Sequence, residues 1–136
     1  MSNLAAMSIP VDTADLARAL EEFDAGYLLT VSESRAAKVV TVEPTVTEGV
    51  LLVEGPGRGT LANLAGNPAV TLVFPPRRPR GYTLLVDGTG EAAGDDVRVT
   101  PTGAVLHRPA SHADGPPAPG AATGEDACGN DCAPVA

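Results

Sequence analysis

The sequence contains no tryptophan, and only two tyrosines and two phenylalanines among its 136 residues. A core built from it is aliphatic, of valine, leucine and alanine, and a bound ring finds no tryptophan to stack against. Basic residues are scarce too: nine lysines and arginines stand against seventeen aspartates and glutamates, for a net charge of -8. That balance argues against nucleic acid, which needs a basic face to release counterions, and against an anionic membrane surface. No apolar run reaches the roughly 18 residues of a membrane span. Residues 1–10 carry no basic residue and no long apolar stretch, so they do not read as a signal peptide. The expectation is a cytoplasmic protein without membrane contact. Cysteine is confined to Cys128 and Cys132, too few for a disulfide framework.

What is present suits one domain. Residues 1–11 read as a loose leader. A helix is expected from Asp12 or Thr13, either of which can cap it, because Leu16, Ala17, Leu20 and Phe23 recur at helical spacing. Gly26 follows where a helix stop is expected. From there the period changes to two. Strands are expected over Tyr27–Ser32, Ala37–Val46 and Val50–Glu54, with Thr47-Glu48-Gly49 as a hairpin turn. A short helix is expected over Thr60–Ala65, stopped by Gly66-Asn67-Pro68. Further strands are expected over Ala69–Phe74, Tyr82–Ala92 and Val97–His107. Strand-rich chains with hairpin connections close into barrels or sandwiches. Residues 109–136, rich in proline, glycine and alanine, lack an apolar period and read as a tail.

The stretch that carries chemistry is Lys38 to Phe74. Gly57-Arg58-Gly59-Thr60 opens a helix, and the amides at a helix start, with a hydroxyl and a guanidinium beside them, form an anion site. Glycines at 57 and 59 let the backbone come close to a ligand. Lys38, on an earlier strand, is in a position to reach the same anion. The same residues also read plainly, Arg58 as a solvated loop cation and Thr60 as a cap.

Residues 37–75, with Gly49, the short helix ending in Asn67-Pro68 and the strand Val70-Thr71-Leu72-Val73-Phe74-Pro75, resemble the pyridoxamine 5'-phosphate oxidase-like family, and the likeness extends more loosely from the first helix to His107. The resemblance implies a mainly β fold, an antiparallel split β-barrel of six to seven strands with two short helices, over residues 12–108. It implies a homodimer with flavin mononucleotide at the interface. By that resemblance Lys38 holds the phosphate, the backbone of Val39, Val40 and Thr41 faces the edge of the isoalloxazine, and Val53 and Glu54 lie beside the ring or its ribityl chain. Arg58, Gly59 and Thr60 then grip the phosphate at the helix start.

The departures from the pattern narrow the expectation. Glu43 stands where a true pyridoxamine phosphate oxidase has a basic residue for its substrate's phosphate, and the Pro/Gly tail replaces that enzyme's C-terminal segment; pyridoxamine phosphate is therefore not the expected substrate. The expected function is a flavin-dependent oxidoreductase of a small substrate, with no catalytic residue singled out. The alternatives are a deazaflavin-dependent reductase, whose acidic cofactor tail would need Arg77, Arg78 and Arg80, and a non-catalytic or cofactor-free dimeric barrel. Haem would need His107 or His112 as a ligand, and both fall at or beyond the barrel's end. These histidines together with Cys128 and Cys132 make up a zinc ligand set in residue type, but Cys-x3-Cys after a featureless linker is a weak motif. Two free thiols or a short-loop disulfide fit it as well, and no metal is expected.

Overall fold

Alternation decides the first hairpin. In Gly26–Val31 (β2) positions 26, 28 and 30 are buried, while Tyr27 is exposed and Leu29 half-buried. This strand pairs antiparallel with Ala37–Val42 (β3), in the register Tyr27↔Thr41, Leu29↔Val39 and Thr30↔Lys38. The computed structural model that shows this describes residues 7–119. Gly26 has a packing reason to be glycine. A Cβ there would lie 2.5 Å from Cδ1 of Phe74 and 2.6 Å from the Val73 carbonyl oxygen.

The long strand expected over Ala37–Val46 is two strands, β3 and Thr45–Thr47 (β4). The break falls at Glu43-Pro44, where proline has no N–H to give a ladder. β4 turns through Glu48 and Gly49, with φ of 51° and 80°, into Val50–Val53 (β5). Two successive positive φ values are the signature of a tight hairpin that matches strand twist.

Ala69–Phe74 (β6), Thr83–Ala93 (β7) and Asp96–Arg108 (β8) complete a meander. The strand order is β3-β2-β6-β7-β8-β5-β4. β3 and β4 thus lie on opposite edges of one curled antiparallel sheet, and the chain at Glu43-Pro44 crosses the seam that hydrogen bonds do not close. This is the split barrel, with eight strands where six or seven were expected. One extra strand comes from the break at Pro44.

The other extra strand lies in the expected leader. Met7–Pro10 (β1) pairs with β8, Ile9 opposite Leu106. The thirteen residues of β8 outrun β5, which covers only Val97–Val99. β1 fills the vacant half of that edge, and Pro10 sits at the strand's end.

The first helix is shorter than expected. Asp12 accepts from the Ala14 amide at 3.0 Å, a 3-10 turn spans Thr13–Asp15, and Leu16–Leu20 (α1) follows. The second, Arg58–Gly66 (α2), starts two residues earlier than expected. The core is aliphatic as composition requires: Leu28, Leu51, Leu72, Leu84, Val86, Val97 and Val99 are fully buried, and Phe74 meets Phe23 at a 6.5 Å centroid separation. Each such side chain contributes roughly 1.5–3 kcal/mol on burial.

Beyond β8, Pro109 to Pro119 runs as a strap with a 3-10 turn at Ala110–His112. Cys128 and Cys132 lie outside the described residues. Among the described residues no helix is long and apolar enough to cross a membrane.

Candidate functional site

α2 is entered without a side-chain cap. Gly57, its N-cap, has φ 105° and no hydroxyl or carboxylate to offer. The first helical bond runs from the Leu61 amide to the Gly57 carbonyl at 3.2 Å. The amides of Arg58, Gly59 and Thr60 therefore point out of the helix start with no acceptor among the described residues. Three aligned N–H groups and the helix dipole favour an anion at that point.

Lys38 is brought to the same place. It lies on β3, directly across from Thr30. A Cβ on Gly59 would stand 2.8 Å from Lys38 Cε and 3.2 Å from its Nζ, so the ammonium rests against the bare backbone of the first turn. α2 is held there by its other contacts with the hairpin. Asn63 Nδ2 donates to the buried Thr30 Oγ1 at 3.0 Å. Gly66 makes room for Glu33, whose Cγ would lie 2.5 Å from a Cβ. Gly59, Asn63 and Gly66 share one helix face, at spacings of four and three. Neither Lys38 nor Arg58 has a carboxylate partner among the described residues; the two ion pairs found are Arg77–Asp24 and Arg80–Asp114.

The remaining candidates divide. Arg58, Val39, Thr41 and Glu54 are exposed, and Val40 is half-buried against the core. β3 is an edge strand, so half of its backbone groups are free of a ladder. Those groups are what a ring edge alongside Val39, Val40 and Thr41 can use. Side chains are less useful there, because Val39 and Thr41 face one side of the sheet and Lys38 and Val40 the other. Val53 is 1% exposed and belongs to the core, which leaves only its backbone for a ligand. Thr60 differs most from the expected role. Its side chain turns inward with Leu64, and its hydroxyl is buried without any hydrogen-bond partner. Thr60 brings an amide to the helix start, not a hydroxyl.

Sequence reasoning took Gly59 as room for a ligand and did not see it as the seat of Lys38. The signal lies in the spacing Gly59-x6-Gly66, which leaves two gaps in a single helix face. Two of the three arginines named above for a deazaflavin tail are engaged within the fold. Arg77 donates from Nε to Asp24 at 3.0 Å and from Nη2 to the carbonyls of Glu21 and Phe23, both at 3.1 Å. Arg80 is bound to Asp114 and to the Ser111 carbonyl. Only Arg78 has no such partner among the described residues.

Glu43 is exposed at the Pro44 kink. His107 shares a hydrogen bond with the Ser8 hydroxyl at 3.1 Å on the β1–β8 ladder. No group of three or more metal-ligating residues occurs among the described residues.

No family model matches the chain. It is 38% identical to an uncharacterized protein of Mycobacterium tuberculosis over 141 aligned positions, 90% of this chain and 92% of that one. Among solved structures it is similar to a Listeria innocua protein assigned as a pyridoxamine 5'-phosphate oxidase, with TM-score 0.58 and 12% identity over 69% of this chain and 96% of that one. It is also similar to the FAD-binding protein of Mycobacterium smegmatis, with TM-score 0.55 and 16% identity over 75% of this chain and 98% of that one.

Proposed function

We propose that the chain, whose fold is that of solved split-barrel proteins, belongs to the pyridoxamine 5'-phosphate oxidase-like family and binds flavin mononucleotide, whose phosphate sits between Lys38 and the first turn of α2. One observation carries this reading: the Lys38 ammonium rests on Gly59, beside three amides that, among the described residues, have no acceptor, and no carboxylate among those residues neutralises it. An unpaired cation against a helix start is electrostatically unfavourable until an anion arrives. A phosphate answers both the ammonium and the amides, and Arg58 at the first helical position adds a second cation. The residues present therefore fit the group, with the Thr60 amide in place of its hydroxyl.

The exposed edge of β3 then receives the ring through backbone groups of Val39, Val40 and Thr41, and Glu54 lies beyond the end of β5. When bound, the flavin supplies two-electron hydride chemistry. The chain's part is to hold and orient it, as a flavin-dependent oxidoreductase of a small substrate. The carboxylate of Glu43 repels a phosphorylated substrate at the seam, against pyridoxamine phosphate.

A second protomer completes the site. The sheet face opposite Lys38 carries the row Thr41–Tyr27–Val73–Leu85–Val105 and, next to it, Val39–Leu29. Val39 is 58% and Tyr27 42% exposed, large apolar surfaces that another copy of the sheet would cover. Deazaflavin is disfavoured by the arginine loop, where Arg77 and Arg80 are already engaged in holding the fold.

The test is the absorption spectrum of the purified protein, with titration by flavin mononucleotide and by deazaflavin. The expected result is a yellow or flavin-titratable parent, with Lys38→Ala and Arg58→Ala each weakening uptake. Preference for deazaflavin would overturn the cofactor assignment. Uptake of neither would make this a cofactor-free barrel.

A further inference from the structure

Four of the nine cations of this acidic chain, Arg77, Arg78, Arg80 and Arg108, gather at the end of the barrel away from Lys38. Along β7 that end, at Thr83, is five residues from Gly88, in the row of Thr30 and Lys38. The separation is about 17 Å at strand rise.

Between these arginines lies a cavity of about 300 Å³, walled by the segment after α1, the loop of residues 76–82 and the strap of residues 116–119. Three of the four arginines cross-brace those walls. Arg77 ties the loop to Asp24 and to two carbonyls after α1. Arg80 ties it to Asp114 and Ser111 of the strap. Arg108, only 6% exposed, donates to the carbonyls of Arg80 at 3.2 Å, Pro116 at 2.7 Å and Ala113 at 3.3 Å.

Arg108 has no carboxylate partner among the described residues, and its Nε is buried without an acceptor. Its guanidinium lies 4.1 Å from the centroid of the Tyr82 ring. Tyr82 is in turn a wall of the cavity. A buried positive charge therefore stands directly behind the cavity wall. Arg78 also lines the cavity, and among the described residues it has neither an ion pair nor a side-chain hydrogen bond. Phe23, Tyr82 and several prolines supply the apolar part of the lining, beside polar surface; among the described residues Glu22 is its one acidic group.

We propose that this cavity binds a small organic monocarboxylate with an apolar ring or chain. The carboxylate pairs with Arg78 and the apolar body packs on Phe23, Tyr82 and the prolines. The size is at the lower limit for ligand sites, about 300–1,000 Å³, which suits one ring and excludes a flavin's fused three-ring system with its side chain. Bracing fixes the walls before the ligand arrives, so little ordering opposes binding. Glu22 disfavours dianions and cationic ligands are opposed by Arg78 and Arg108, which leaves a single negative charge as the best match.

The test is titration of the full-length protein with benzoate, benzyl alcohol and inorganic phosphate, followed by backbone amide NMR shifts. Benzoate is expected to shift the amides of residues 22–24, 77–78 and 80–82 and of Ala118 saturably, without moving those of Lys38 and Arg58. Benzyl alcohol and phosphate are expected to bind at least about tenfold more weakly, since each lacks half of the recognition. Arg78→Ala is expected to weaken benzoate about tenfold while flavin uptake is unchanged. Saturation by benzyl alcohol at equal affinity, an unaltered benzoate response in Arg78→Ala, or no saturable shift with benzoate would each overturn the proposal. Shifts confined to Lys38 and α2 would overturn it also, by placing the anion at the other site. The proposal does not rest on flavin, and Arg78→Ala separates the two sites.

Discussion

Gly59→Ala should make this protein more stable and a poorer flavin binder. Gly59 is the second residue of α2 and is absent from the positive-φ glycines, so alanine fits its backbone. Replacing glycine in a helix by alanine stabilises by about 0.5–1 kcal/mol. Near the first turn the lower value applies, about 0.5 kcal/mol, and Tm rises by about 1–3 °C. The new Cβ would stand 2.8 Å from Lys38 Cε and 3.2 Å from Cδ and Nζ. A flexible lysine stem yields easily, so stability is retained, but the ammonium leaves the helix start. Losing one charge-assisted contact to a phosphate is worth about 1.5–3 kcal/mol, a weakening of about 10- to 100-fold. Thermal melting reads the first effect and flavin mononucleotide titration the second. A double-mutant cycle with Lys38→Ala isolates the cause, since the glycine substitution should add little once the lysine is gone. Unchanged affinity in Gly59→Ala would refute the argument that Lys38 is seated by the missing side chain. A full further loss on the Lys38→Ala background would assign the glycine to close backbone approach instead.

Thr60→Val should stabilise by about 1 kcal/mol in urea unfolding, because it removes a buried unpartnered hydroxyl at nearly constant shape; flavin affinity should not change, and a drop would put the hydroxyl on the phosphate after all. The Arg80 hydrogen bond holds the Asp114 carboxyl below its ordinary 3.8. A depressed folded-state value means the contribution is present above 3.8 and is lost as pH falls through that lowered value, so the strap should loosen only below pH 3.8. Amide shifts of Ala113 and Gly115 against pH would show this, and Asp114→Asn should give the loosened shifts already at neutral pH. Tyr27→Asp combined with Val39→Asp places charge on the apolar sheet face and should convert a dimer to a monomer in light scattering; a dimer that persists would place the interface elsewhere.

Much of the fold is legible because alternation and turn chemistry are local. β2, β6 and β8 follow from period-two runs, and Glu48-Gly49 from the turn it must make. The two misread elements depend on what lies across the sheet. Residues 7–10 have no pattern that distinguishes a strand from a leader; they become β1 because β8 is longer than β5 and leaves an open edge near Leu106. The strand over Ala37–Val46 looks continuous, and a single proline there signals an edge or a break without saying that the chain changes edges.

The candidate site was legible in outline for a different reason. A helix start with glycines on both sides of an arginine is an anion signal that one turn of chain contains, whereas the position of Lys38 depends on how α2 docks beside the β2–β3 hairpin. That docking is set by Asn63 on Thr30 and by the gaps at Gly59 and Gly66, none of which has a chemical role of its own. The inward turn of Thr60 follows from the same geometry. If the face bearing Gly59, Asn63 and Gly66 is given to the hairpin, then Thr60 and Leu64, four apart, must take the face toward the barrel. A hydroxyl on that face cannot also meet a ligand at the helix start. Burial of Thr60 and the seating of Lys38 are thus one fact about how α2 docks, and the arrangement that removes the hydroxyl from the site is the one that brings the ammonium to it.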